Sequence, residues 1–480
     1  MDLNSKVFKN LETLLKVVFA AIGPKTCLEV PDDQKYTFQD DIKFTDLYFN
    51  SGYLFREMVL EQIKPCKGKM NYSFGYKIFD KMNRDIYERI KKRNGEIQKT
   101  LNHYLIRDDF IFASNKLEDM LNNSIGKFRL ILVTDLIELT NMDSFQIGTV
   151  GVKKIDENYL KDFPAEIDDS QWPFFGSITA GQKTSLNKEE FLKKHKEHVA
   201  LEVDAEGYHF EKEMSPVFDL ALREFRQIFA YLFMCKHFLK NVQNNKYTVQ
   251  VKKFKSPSLF GPTKPVGLQD YYLRERSNYS SLRMLDTRMA RIRLSDKTFV
   301  LSKECSEQIK HRCCLEQFNV MMQSQDMGEI KDKINSSLEW FLKAILEADE
   351  TDQFINLLIS LESLLSTEPD PLTAHTDDMA ENIAIMLTPD ADSRYKHKRK
   401  FKSKIYRLRN RVIHHGYKIS SNEDWINLRR LKSYVVWSLR GIMERLEKII
   451  KYGKKSEAIR EYFVREKLKT GLILPRSKTE

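Results

Sequence analysis

The stretch from Arg394 to Gly416 is crowded with Lys and Arg and holds no Asp or Glu, yet Phe401, Ile405, Leu408 and Val412 recur within it at spacings of four, three and four. That spacing puts the four apolar side chains on one face of an α-helix, so the segment must dock one side on a core while its charges stay in water. Pro389 to Ser393 reads as a loop supplying the N-cap, and Gly416 suits the position that ends a helix. The helix is therefore amphipathic and docked. Its cations, Arg394, Lys396, Lys398, Arg399, Lys400, Lys402, Lys404, Arg407 and Arg411, form a phosphate-seeking surface expected to hold an RNA backbone.

The end of this helix carries residues with chemistry. At about 100° per residue, His414 falls opposite the apolar stripe, one turn after Asn410, which is placed to orient it or to hold a scissile phosphate. His415 falls close to the stripe. Arg409 lies at the stripe's edge, roughly 140° from His414. On one ideal helix the two do not converge, so either the helix ends between them or a second protomer completes the site. Histidine has an ordinary pKa near neutrality and can take a proton from a ribose 2′-hydroxyl or give one to a departing 5′-oxygen. Arg409 would lend permanent charge to the phosphorane-like transition state.

These residues resemble those of a family. Arg409 and Asn410, followed after a short spacer by His414, are similar to the Arg, polar, His signature of HEPN ribonucleases. The surroundings resemble the Apea-like branch: a Trp-containing helix at Ser336–Phe341, a helix at Phe354–Leu365, then Tyr406-x-x-Arg409 leading to His-Gly. The resemblance covers roughly Lys331 to Tyr462, about one domain in size. It implies an all-α bundle that dimerises so that two Arg–His motifs face one composite cleft. It also implies an endoribonuclease needing neither metal nor cofactor, leaving 2′,3′-cyclic phosphate ends, often in toxin, abortive-infection or antiphage systems. In the Apea-like pattern one His precedes the Gly, whereas here both His414 and His415 do. His414 fits the spacing and shares a face with Asn410, and His415 stands as the alternate catalytic residue. The competing reading from another class is a non-catalytic RNA-binding or dimeric module in which Arg409 and His414 are structural.

The rest of the chain sets the context. Its 480 residues suffice for several domains, and a formal net charge of +11 favours a polyanionic partner. Six cysteines without paired spacing point to a reducing compartment, and the first apolar stretch, Leu11 to Ile22, carries Glu12 and Lys16 and is too short to span a bilayer. A cytoplasmic protein is expected. The fold class expected is α+β, a mixed α/β N-terminal region followed by the helical bundle.

Residues 1–125 read as mostly helical, with helices at 5–21, 76–92 and 113–121. Residues 126–255 read as a mixed α/β sensor or scaffold, with strands at 128–133, 144–152 and 198–203 and a helix at 217–242. Residues 256–325 read as a linker and bridging segment with a Pro- and Gly-rich loop at 256–267, a basic patch at Arg283, Arg288, Arg291 and Arg293, and a helix at 304–321. The ribonuclease-like domain takes 326–470, and 471–480 is a tail. The N-terminal region, lacking a catalytic constellation, is the natural sensor of a phage-derived or cellular trigger.

Other chemistry is weaker. Gly176 to Thr184 nearly spells a phosphate-binding loop, but Gln182 displaces the Lys by one position. His195 with His198, and Cys305, His311, Cys313 and Cys314, lack the spacing of a zinc module. Glu202 and Asp204 alternate on a strand as in some metal-dependent nucleases, but no Glu-x-Lys follows.

Overall fold

The structure, a computed structural model, describes residues 5–21, 42–60, 72–95, 99–163, 166–168, 185–196, 198–208, 216–239, 251–252, 268–275, 278–285, 298–324, 326–366 and 375–469. It divides into two units, one of Met1–Leu130, Asp204–Leu222 and Arg274–Arg276, the other of Ile131–Val203, Arg223–Leu273 and Ser277–Glu480.

The first unit is built on helices α1 (Ser5–Ala21), α2 (Ile42–Met58), α3 (Tyr72–Asn94) and α4 (Arg107–Ser124), with a 3-10 turn at Leu101–Tyr104. Leu11, Leu15 and Val18 of α1, Phe79, Met82, Ile86 and Ile90 of α3, and Ala113, Leu117 and Leu121 of α4 share one core. Each set repeats every three or four residues, so each helix turns one stripe inward. Fully burying one such large side chain contributes about 1.5–3 kcal/mol. The start of α4 is tied down from within: Asp109 is fully buried and accepts from the Ile106 amide at 3.0 Å and from Arg93 and Arg89.

The second unit contains a sheet and a helical C-terminal half. The strands of the chain are β1 (Ile125–Thr134), β2 (Ile137–Thr140), β3 (Ser144–Ile147), β4 (Val150–Lys154), β5 (Glu166–Asp168), β6 (Ser185–Asn187), β7 (Val199–Tyr208), β8 (Val251–Lys252), β9 (Leu268–Glu275), β10 (Asn278–Leu285) and β11 (Thr298–Ser302). The order is β3-β4-β7-β1-β9-β10-β5-β6, with a second sheet β2-β11-β8. Ile147 pairs with Val150, so Gly148 and Thr149 form a two-residue hairpin loop, and Gly148 takes φ +61° there. A Cβ at Gly148 would also lie 3.2 Å from Phe318. The expected strand at 144–152 is thus two strands and a turn. Helix α5 (Lys188–His195) precedes β7, and α6 (Pro216–Leu239) follows it, as the apolar run from 217 predicts. Strands β9 to β11 lie where the sequence suggested only a bridge.

The expected helix at 304–321 is broken at Cys314, which takes φ +56° between α7 (Lys303–Cys313) and α8 (Leu315–Gln323). Helices α9 (Gly328–Leu346), α10 (Glu350–Leu365), α11 (His375–Leu387), α12 (Ala391–Lys400), α13 (Arg407–His415), α14 (Asn422–Glu444), α15 (Leu446–Ile450) and α16 (Glu457–Lys469) complete the chain. Six π-helical residues, Phe401–Tyr406, join α12 to α13. Helices α9 and α10 meet through small residues: the Ser337 and Ser360 hydroxyls lie 3.0 Å apart, and Ser360 donates to the Ser337 carbonyl at 2.8 Å. Phe238 of α6 meets Trp437 of α14 edge-on at 4.9 Å between centroids. The class is α+β with a helical C-terminal region. Among the described residues no helix is long and apolar enough to cross a membrane.

Candidate functional site

The site grows from the helix that the sequence placed first. Asp390 caps α12, accepting from the Ser393 amide at 2.8 Å. Phe401, Ile405, Leu408 and Val412 are all buried, and Tyr434 of α14 covers the stripe, its ring 6.1 Å from that of Phe401. The helix ends where the sequence put its stop. Gly416 takes φ +60° and donates back to the Arg411 carbonyl.

The last turn brings Arg409 and His414 together. Arg409 Nη1 lies 3.4 Å from His414 Nε2, and the same Nη1 donates to Asn410 Oδ1 at 3.3 Å. This corrects the angular argument: the Cα positions diverge, but the guanidinium has the length to close the gap on one continuous helix. It also corrects Asn410, whose side chain holds Arg409 rather than His414. Arginine has no acceptor, so the contact is a hydrogen bond only with His414 neutral and its proton on Nδ1. The Arg409 guanidinium sits 5.3 Å from the Tyr406 ring centroid, and its Nε is buried without a partner. Arg409 and Asn410 are half-buried, and His414 is exposed. His415, despite its angle near the stripe, is exposed too.

A second layer lies just beyond. The Tyr417 hydroxyl donates to Asp424 Oδ2 at 2.7 Å, and Ser421 caps α14 by accepting from the Asp424 amide at 3.1 Å. Arg411 stacks 3.6 Å from the Tyr417 ring centroid and lies 3.8 Å from Asp424. Burial works to raise the Asp424 carboxyl, but hydrogen bonds from Ser421 and Tyr417 and the Arg411 charge hold it below the usual carboxylate range. Sequence reasoning gave Tyr417, Ser421 and Asp424 no role. The Ser-x-x-acid spacing of a capping box was the available signal.

The cations fall into three groups. Arg394 is buried and donates its Nε to the Thr388 carbonyl at 2.8 Å, so it is no part of the exposed surface. It lies seven residues before Phe401, two turns away on the same inward face. Lys398 pairs with Glu381, Lys402 with Asp377, Lys404 with Glu423 and Arg411 with Asp424. Lys396, Arg399, Lys400 and Arg407 are exposed and form no ion pair among the described residues. Between the groups sits His397, its ring 5.9 Å from Tyr434, with burial and the charges of Lys400 and Arg430 pushing its pKa down.

Among the described residues no group of three or more His, Cys, Asp or Glu side chains is placed to hold a metal ion. His195 and His198 form a ring pair 5.6 Å apart, and Glu202 is tied to Tyr159 at 2.7 Å and to Lys153 at 2.8 Å. Gly176–Thr184, the Pro- and Gly-rich loop at 256–267, Arg288, Arg291, Arg293 and the tail from 471 lie outside the described residues. Comparison with known protein families, curated proteins and solved structures finds no match to this chain.

Proposed function

We propose that the C-terminal helices form a HEPN-type endoribonuclease that cuts RNA by attack of a ribose 2′-hydroxyl on the adjacent phosphate, leaving a 2′,3′-cyclic phosphate. The observation that carries this reading is the 3.4 Å approach of Arg409 Nη1 to His414 Nε2 at an exposed helix end flanked by unpaired cations. His414 offers Nε2 to take the 2′-hydroxyl proton once a phosphate draws Arg409 onto itself. Arg409 then meets the charge that develops on the phosphoryl oxygens, and Asn410 and Tyr406 keep its guanidinium in place. Lys396, Arg399, Lys400 and Arg407 hold the backbone leading to the cut. A second copy of the chain supplies the facing motif, whose histidine protonates the departing 5′-oxygen. The same reading makes the protein a cytoplasmic, regulated effector of toxin or antiphage type, restrained until a trigger reaches its N-terminal region.

The test is RNA cleavage by the wild type in excess EDTA with end-group analysis. Metal-free cutting that leaves cyclic phosphate ends supports the reading. Ends bearing 5′-phosphate, or RNA bound tightly and never cut, would turn it toward another nuclease chemistry or the non-catalytic module.

A further inference from the structure

The first unit holds a site that the ribonuclease reading leaves unused. An open groove of about 750 Å3 is lined by Glu88, Arg89, Lys91, Lys92 and Arg93 of α3 and Phe112 of α4. Two of these cations converge on one buried carboxylate. Arg93 donates Nη1 to Asp109 Oδ1 and Nη2 to Oδ2, each at 2.9 Å, while Arg89 donates Nε to Oδ1 at 3.2 Å. Both terminal nitrogens of Arg93 are engaged, because its Nη2 also reaches the Tyr104 carbonyl at 2.6 Å. Arg89 is not.

Its Nε is pinned and its guanidinium carbon lies 5.0 Å from the Phe112 ring centroid, but its terminal nitrogens make no hydrogen bond among the described residues. The side chain is therefore held in place with its outer edge open. A planar fork held this way fits two oxygens of a phosphate, and a guanidinium plane can stack on a planar ring. Lys92 is exposed with no partner among the described residues, and the lining carries four cations against the single carboxylate of Glu88.

We propose that this groove binds a nucleotide, with its phosphate on Arg89 and Lys92 and its base stacked on the Arg89 guanidinium beside Phe112. The chemistry is shared by a free nucleoside triphosphate and a segment of single-stranded RNA. The proposal stands on the first unit's own geometry and survives or fails apart from the ribonuclease reading.

The experiment uses the full chain carrying His414→Ala, so that RNA is not consumed, and two photoreactive probes, azidoadenosine triphosphate and a short iodouridine-substituted single-stranded RNA. Labelled peptides are mapped by mass spectrometry. Labelling within residues 88–112 that falls about tenfold in Arg89→Gln and in Lys92→Glu supports the site, since each change removes a charge-assisted phosphate contact. Lys92 is exposed, so its substitution leaves the fold intact. Labelling there by the triphosphate alone identifies a free nucleotide as the source, and by the RNA alone a single strand. No labelling of residues 88–112 by either probe, or labelling undiminished in both variants, overturns the proposal.

Discussion

His414 has one polar partner among the described residues, and that partner is a cation, so the pair is poised for an anion rather than for its own stability. Asn410 bonds Arg409, not His414, which separates two roles by experiment. Asn410→Ala is expected to lower the cleavage rate about tenfold by loosening the guanidinium, while leaving the pH dependence of that rate unchanged. A shifted pH profile would instead make Asn410 the residue that orients His414. His397 gives a second prediction at this scale. Its pKa is pushed down in the folded chain by burial, then by Lys400 and Arg430, so the unfolded chain takes up the proton first as pH falls. The contribution of His397 is full above about pH 6.5, the ordinary histidine value, and is lost as pH drops from there toward the folded pKa. Thermal melts of the wild type should fall across that window, and those of His397→Phe should lack the step.

The elements around the site were the most readable part of the chain. The 4-3-4 spacing of Phe401, Ile405, Leu408 and Val412 fixed a helix and its buried face, and Gly416 fixed its end. The π-helical turn at Phe401–Tyr406 was not legible, because both geometries satisfy nearly the same apolar spacing. Deleting Ser403 tests its importance: the π turn absorbs one extra residue, so the deletion restores a regular α-helix with the cations in nearly the same register to Arg409 and His414, and cleavage should persist with helix content kept. Loss of cleavage with helix content kept would make the π turn itself part of the site. Ion pairing of the cations was hidden too, since Glu381, Asp377 and Glu423 come from other elements. RNA affinity should depend on salt through the unpaired set, with alanine at Lys396, Arg399, Lys400 or Arg407 each flattening the log–log slope by about 0.7. Alanine at Lys398, Lys402 or Lys404 should change it less.

At the scale of the molecule, helices with strong periodicity were readable and strands β9 to β11 were not. Strand pairing depends on distant partners, and Leu268–Glu275 lacks a clean alternation of apolar and polar residues. The break at Cys314 was equally hidden, since nothing in a cysteine announces a left-handed backbone. Asp109 offers the clearest stability test of the first unit. Removing it leaves the Ile106 amide and two partly exposed guanidinium groups without their shared acceptor, so Asp109→Ala should cost about 1–3 kcal/mol, read as a lower calorimetric transition for that unit. An unchanged transition would make the cluster ornamental.

The measurement that bears most directly on the proposed activity compares single-turnover cleavage and RNA binding for Arg409→Ala, His414→Ala and His415→Ala. The geometry predicts that the first two lose cleavage by about 100-fold or more while still binding RNA, and that His415→Ala cuts as the wild type does. Wild-type cleavage by His414→Ala, or loss of cleavage in His415→Ala alone, would contradict it.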